Sequence, residues 1–143
     1  MYYFANLGIR SFNSSPPPST RIFSIEPGAQ ALFKFAQDFE PNSEELFASP
    51  RLIKHGKGVI KTVNTAVGML GPDLAPLVEV LQALGKRHAK YGVAEEHFPI
   101  VGKALIETLS AAMGDAFTDE VKDAWVEIYG VIQAQMIAGM KQA

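Results

Sequence analysis

The stretches SPRLIKHGKGVIKTVNTAVGML (residues 49–70) and LAPLVEVLQALGKRHAKYGV (residues 74–93) decide the fold of this chain. Each carries apolar residues at the 3–4 spacing of a helix, and each contains a single histidine. His55 lies one turn before Val59 in the first stretch, and His88 lies one turn after Leu84 in the second. Both imidazoles are therefore expected on the apolar face of their helix, where a polar ring needs a partner.

The segment between the two stretches, Gly71-Pro72-Asp73, predicts a turn that lets the second helix run back along the first. Two histidines on successive antiparallel helices can approach one flat ligand from opposite sides. An iron porphyrin is such a ligand, because its iron takes imidazole as an axial donor. The histidine pair therefore indicates a haem site, and ordinary helix packing is the alternative.

The 143 residues and their composition indicate one globular domain. Hydrophobic residues make up 48% of the chain and charged residues 20%, and the net charge of -2 does not suggest a nucleic-acid partner. The absence of cysteine excludes disulfides, thiolate catalysis, zinc fingers and iron–sulfur clusters. No apolar run approaches the roughly 20 residues of a membrane span, so we expect a cytoplasmic location.

Residues 1–20 differ in character from the rest of the chain. They combine an aromatic start, a Ser/Asn stretch and three successive prolines at 16–18, which favour extended polyproline II backbone. We therefore expect residues 1–20 to form a disordered Pro/Ser-rich arm, and residues 21–143 to form the folded domain.

Four long helices and two or three short ones are predicted after the arm. Pro27, Asn42-Ser43 and Ser49-Pro50 mark the starts of two short helices and the first long one. Glu95-Glu96 and Thr118 mark the starts of the last two long helices. No alternating pattern of any length predicts a strand. The chain is therefore expected to be all-α.

Taken in chain order, several segments of the sequence resemble segments of the globin family, most of all of its animal neuroglobin and cytoglobin branch. RIFSIEP with ALFKF resembles the end of the family's B helix and its C helix, and ASPRLIKHGKGV resembles the start of the E helix. LGKRHAKYGV resembles the end of the F helix, HFPIVGKAL the G helix and AWVEIYGVI the H helix. The resemblance covers residues 21–140 and implies a globin-like fold, with C- to H-type helices around a haem slot.

The resemblance also implies roles for individual residues. It makes His88 the proximal iron ligand and His55 the distal histidine, which is a sixth ligand if the iron is six-coordinate. The second ring nitrogen of His88 is then expected to bond a backbone carbonyl near Leu84. The implied haem-binding residues are Phe33, His55, Val59, Leu84, His88, Val93, Phe98 and Val101.

Each of these assignments has a plainer alternative. His88 can be a surface histidine at a basic helix end, and the apolar residues can be ordinary helix-packing core. His97, at a predicted helix start, is expected to be structural or exposed rather than a ligand.

The sequence departs from the family at its front. A globin has an A helix and most of a B helix before the motif that begins here near Arg21, and residues 1–20 occupy that place. The basic residue often found three positions after the distal histidine is Gly58 in this chain. We therefore expect the A helix and most of the B helix to be replaced or missing.

The resemblance implies a haem b cofactor and reversible binding of oxygen, carbon monoxide or nitric oxide at iron, for oxygen storage, transport or sensing. Two other functions stay open: electron transfer by bis-histidine iron, and nitric oxide scavenging as a dioxygenase side activity, both with an external electron donor. A haem-free, truncated globin remnant is the remaining alternative. No catalytic residue is assigned, and the choice between a monomer and a homodimer is open.

Overall fold

The structure, a computed structural model, describes residues 18–41 and 43–143, and for residues 18–21 the backbone only. No strand occurs among these residues, in agreement with the all-α prediction. None of the helices in this part of the chain is long and apolar enough to cross a bilayer. The α-helices are α1 (Pro18–Ile25), α2 (Glu44–Ala48), α3 (Pro50–Gly68), α4 (Ala75–Ala89), α5 (His97–Met113) and α6 (Asp119–Met140). Short 3₁₀ turns occur at Pro27–Leu32, Lys34–Ala36 and Gly114–Ala116.

The first helix begins earlier than the sequence predicts. Proline is tolerated at a first helical position because its missing N–H has no partner there, and α1 begins at Pro18 as α3 begins at Pro50. Residues 18–20, which we expected in the N-terminal arm, therefore form the first turn of α1. The expectation for residues 1–17 lies outside the described part of the chain.

Hydroxyl side chains cap two helices at the predicted places. The Leu46 amide donates to Ser43 Oγ at 3.2 Å at the start of α2. The Val121 amide donates to Thr118 Oγ1 at 3.3 Å at the start of α6. Each bond satisfies one of the amides that a helix start leaves without an internal partner.

The start of α5 differs from the prediction. Glu95 and Glu96 precede this helix, which begins at His97, and Glu96 makes no side-chain cap bond. The reason is a tight turn in which the Ala94 amide donates to His97 Nδ1 at 2.8 Å, while the His97 amide donates to the Ala94 carbonyl at 3.1 Å. This turn also agrees with the expectation that His97 is structural.

Several helix–helix contacts hold the long elements together. The α4 helix packs most extensively against α6, and α1 packs against α5 and the start of α3. The α5 helix also contacts α6, where the Tyr129 ring lies against Gly102 and the Tyr129 hydroxyl donates to the Phe98 carbonyl at 2.7 Å. Burial raises the pKa of Tyr129, so its hydroxyl remains a donor at neutral pH.

The apolar core falls into two clusters. Cluster I joins the second half of α3 to α4, α5 and α6. Cluster II joins α1, the first two 3₁₀ turns and α2 to Leu52 of α3 and Ala104 of α5. The α3 helix thus spans both clusters, with Leu52 in cluster II and Val63 in cluster I. His55 and Val59 lie between these two residues on α3, and Val59 packs with neither cluster.

Candidate functional site

The ring of His88 is held by its own helix. His88 is half-buried near the end of α4, and its Nδ1 lies 2.9 Å from the Leu84 carbonyl oxygen, one turn earlier. A carbonyl only accepts, so Nδ1 carries a hydrogen and donates it to this oxygen. Among residues 18–41 and 43–143, Nε2 has no hydrogen bond. The His88 ring is therefore held in one orientation by a backbone carbonyl through Nδ1, as is typical of histidines that bind a metal through Nε2.

The ring of His55 is held differently. It is half-buried on α3, packs edge-on against Phe33 with ring centroids 5.0 Å apart, and has no hydrogen bond to any described residue. Burial lowers the pKa of His55, and the positive charge of protonated His88 lowers it further. The two rings are therefore close enough to interact electrostatically, and His55 is neutral at neutral pH.

The two histidines fit the axial donors of a haem. A half-buried imidazole without a hydrogen-bond partner is costly unless a ligand supplies one. His55 is such a ring, and His88 directs a free Nε2 from a different helix. Imidazole nitrogen is a common axial donor to haem iron. The donor chemistry on both sides therefore matches an iron porphyrin.

Most of the apolar residues predicted to line the haem slot are divided between cluster I and cluster II. Phe98 is buried, and the other apolar wall residues are half-buried. The members that pack with cluster I are Leu84, Val93 and Phe98, those that pack with cluster II are Phe33 and Val101, and Val59 packs with neither. Apolar side chains that stay half-buried at a border between two cores fit the walls of a slot better than one continuous core.

Two aromatic residues near the histidines were missed by the sequence analysis. Tyr91 is 63% exposed, and its ring centroid lies 6.0 Å from that of His88, a contact that the i, i+3 spacing signals. Phe23 is fully buried in α1 and packs edge-on against Phe33 at 5.3 Å. No local signal predicts this contact, because it joins separate elements.

The described part of the chain also contains an apolar groove that neither histidine lines. It opens between α3 and α4, and its lining residues are Lys61, Thr62, Thr65, Ala66, Met69, Leu77, Val80 and Leu81. None of these residues belongs to the predicted haem wall. Its volume of about 160 Å³ is also below the roughly 300–1,000 Å³ of typical cofactor pockets. The groove is therefore not the haem slot.

Comparison with known proteins decides the family. The Globin family model matches residues 20–136, most of the chain. The chain belongs to the globin family. It is 30% identical to the neuroglobin of Danio rerio over 120 residues, which are 84% of this chain and 74% of that protein. Neuroglobin-2 of Oncorhynchus mykiss is 31% identical over the same length and with the same coverage. An anaerobic nitrite reductase of Gossypium hirsutum is 34% identical over 139 residues, 96% of this globin and 79% of the plant protein.

These findings confirm two predictions: an all-α globin fold, and a relation to neuroglobin. Membership of the family supports a haem globin and diatomic gas ligands in general terms. The roles of His55, His88 and the wall residues stay predictions, supported by the geometry described above.

Proposed function

We propose that this globin binds haem b through His88 and reversibly binds oxygen, carbon monoxide and nitric oxide, for oxygen storage, transport or sensing in the cytoplasm. The observation that carries the proposal is the 2.9 Å contact between His88 Nδ1 and the Leu84 carbonyl, which leaves Nε2 without a hydrogen bond among the described residues. Haem, when bound, would supply an iron centre that coordinates an imidazole and a diatomic gas.

The residues on the His88 side act by orienting the ring. The Leu84 carbonyl fixes the tautomer and makes Nε2 a stronger donor, because the hydrogen bond increases electron density on the ring. Since the carbonyl and the ring lie on the same turn of α4, the orientation does not depend on a distant element. His88 is therefore prepared for coordination before any cofactor binds.

We also propose that His55 serves as an exchangeable sixth ligand. Its neutral ring can coordinate iron, and it has no hydrogen bond in the described part of the chain that would oppose its movement. The same ring could instead donate a hydrogen bond to a bound gas. The half-buried Val59, one turn along α3, would limit the space on this side.

The aromatic contacts favour haem binding over a haem-free remnant. The buried Phe23 of α1 supports Phe33, and Phe33 in turn contacts His55. Since α1 also packs against α5, the described part of the chain retains a packed support behind His55. A remnant that had lost its distal side would not be expected to keep this chain of ring contacts.

Titration of the purified protein with haem tests the proposal. We expect saturation at one haem per chain with a protein-type Soret band, followed by reversible spectral changes when carbon monoxide is added and removed from the reduced protein. Absorption that remains that of free haem at every ratio would contradict the proposal and favour the remnant.

A redox function is a second candidate. The relative from Gossypium hirsutum is named as an anaerobic nitrite reductase, and the exposed Tyr91 beside His88 gives an external electron donor a short approach to the site. Under this proposal, haem-loaded protein that has been reduced and then freed of excess reductant consumes nitrite under anaerobic conditions, and its iron becomes oxidised. Nitrite consumption no faster than that of free haem at equal concentration would exclude it.

A further inference from the structure

The helix that carries His88 has one main neighbour. Within the described residues, α4 packs extensively against α6, whereas α3 and α5 do not pack against it to a comparable extent. The polar side chain of Gln82 adds to this contact by donating to Gln135 Oε1 at 3.1 Å and accepting from Gln142 Nε2 at 3.4 Å. The position of α4 therefore depends mainly on how closely it approaches α6.

Two buried glycines permit that close approach. A Cβ on Gly85 of α4 would overlap the Met136 carbonyl oxygen and lie 2.8 Å from the Met136 carbonyl carbon. A Cβ on Gly139 of α6 would overlap the Gln82 carbonyl oxygen and lie 2.6 Å from Gln82 Cα. The obstructing atoms are backbone, which cannot turn aside as a flexible side chain can. Any side chain at either glycine would therefore push the two helices apart.

The crossing lies within one turn of His88. Gly85 directly follows Leu84, whose carbonyl holds the His88 ring, and His88 is three residues further along the same helix. A helix is stiff over such a distance, so a displacement at Gly85 reaches the imidazole almost undiminished. The approach of α4 to α6 therefore sets where Nε2 of His88 lies in the slot.

We propose that Gly85 and Gly139 are positioning residues for iron coordination, because their close crossing sets the place from which His88 meets the haem. This inference rests on the proposed haem function with His88 as the proximal ligand. Neither glycine touches the haem, so both act through the position of α4. Displacing α4 is expected to change the strength of the proximal bond and, with it, the rate of gas binding.

The test uses the full chain with the His55→Ala substitution as parent, because His88 is then the only protein ligand on the iron. Gly85→Ala and Gly139→Ala are each added to this parent. Gly130→Ala on α6 is the matched control, since its added Cβ would meet no atom within 4 Å. It reproduces the gain in helix propensity of about 1 kcal/mol without the clash.

The readouts are the iron–histidine stretching band in resonance Raman spectra of the reduced protein and the carbon monoxide association rate. We expect Gly85→Ala and Gly139→Ala to shift the band and to change the rate by about tenfold, as misplacements below 1 Å can do. Gly130→Ala is expected to leave both unchanged. Haem-loaded Gly85→Ala and Gly139→Ala proteins with the parent's band and rate would overturn the inference.

Three further outcomes each have a defined meaning. If both clashing variants fail to fold by circular dichroism, Gln82→Ala in the same parent decides, because it removes the side-chain contacts to α6 without a clash; an unchanged band and rate would then overturn the inference. If wild-type protein binds no haem, the proposed function fails together with the inference. If wild-type protein binds haem and the Gly85→Ala and Gly139→Ala proteins behave as the parent, the inference alone fails.

Discussion

His88 and His55 lie on successive helices, yet their rings are held by different means. A hydrogen bond within α4 fixes His88, whereas His55 rests edge-on against Phe33 without a hydrogen bond in the described part of the chain. A hydrogen bond weakens steeply away from its preferred angle, so it restrains the orientation of a ring, whereas an aromatic contact tolerates a range of ring positions. The His88 ring is thus held in one orientation, whereas the His55 ring is not. Under the proposed function, this difference would separate a fixed iron ligand from an exchangeable one.

The largest effect is expected from removing the fixed histidine. His88→Ala should abolish stable haem uptake, because His55 alone lacks an orienting bond. The stabilisation by bound haem is then lost, about 4 kcal/mol at a haem concentration roughly a thousandfold above its Kd. Haem titration and thermal unfolding with and without haem measure both effects. His97→Ala is the control, since the ring of His97 bonds the Ala94 amide. Equal loss of haem in both variants would contradict the assignment of His88.

Removing the other histidine should give a smaller effect of a different kind. His55→Ala is expected to keep haem bound but to convert a low-spin, six-coordinate spectrum of the reduced protein to a five-coordinate one. Carbon monoxide should then bind faster, because no side chain competes for the sixth position. If the low-spin six-coordinate spectrum persists in this variant, His55 is not the sixth ligand.

A third variant tests what holds His55 in place. Phe33→Leu keeps apolar volume but removes the ring contacts with Phe23, Phe35 and His55, so we expect a loss of about 1–2 kcal/mol in the free energy of unfolding. It should also lower the fraction of His55-coordinated iron. Phe35→Leu is the control, because this ring contacts Phe33 and has no ring contact with His55. If both substitutions lower that fraction equally, Phe33 does not orient His55.

The smallest effect concerns pH and the haem-free protein. The pKa of His55 lies below its ordinary value of 6.5 in the folded chain, chiefly because the ring is buried. Between the lowered pKa and 6.5 the unfolded chain binds more protons, so the His55 contribution to stability falls as pH decreases and is constant above 6.5. The difference in unfolding free energy between wild type and His55→Gln should therefore depend on pH only in this acidic window. A difference that stays the same from mildly acidic to mildly basic pH would contradict the burial of His55.

Local signals predict the helices well and their exact ends less well. Proline and hydroxyl residues at Pro50, Ser43 and Thr118 mark true starts, since each acts within one helical turn. The helix start predicted from Glu95-Glu96 was wrong, because the Ala94 amide donates a hydrogen bond to the His97 ring and a turn forms before the helix begins. A helix dipole preference is weaker than such a bond, so it does not fix the boundary.

In the candidate site too, contacts within one helical turn could be predicted and contacts between distant residues could not. The bond between His88 and Leu84 follows from their spacing of one turn and could be predicted. The contact between Phe33 and His55, and the crossing of Gly85 with Met136, join residues that are distant in sequence. Such contacts depend on how whole helices pack, which neither spacing nor composition determines. The sequence therefore indicated the two histidines but not how differently they are held.

Flash photolysis of the carbon monoxide-saturated, reduced protein tests the exchangeable role of His55 most directly. After the flash, the account predicts two phases: one whose rate rises with carbon monoxide concentration, and one in which His55 transiently takes the sixth position. The second phase should be absent from His55→Ala. A single phase, identical in wild type and His55→Ala at every carbon monoxide concentration, would contradict the account.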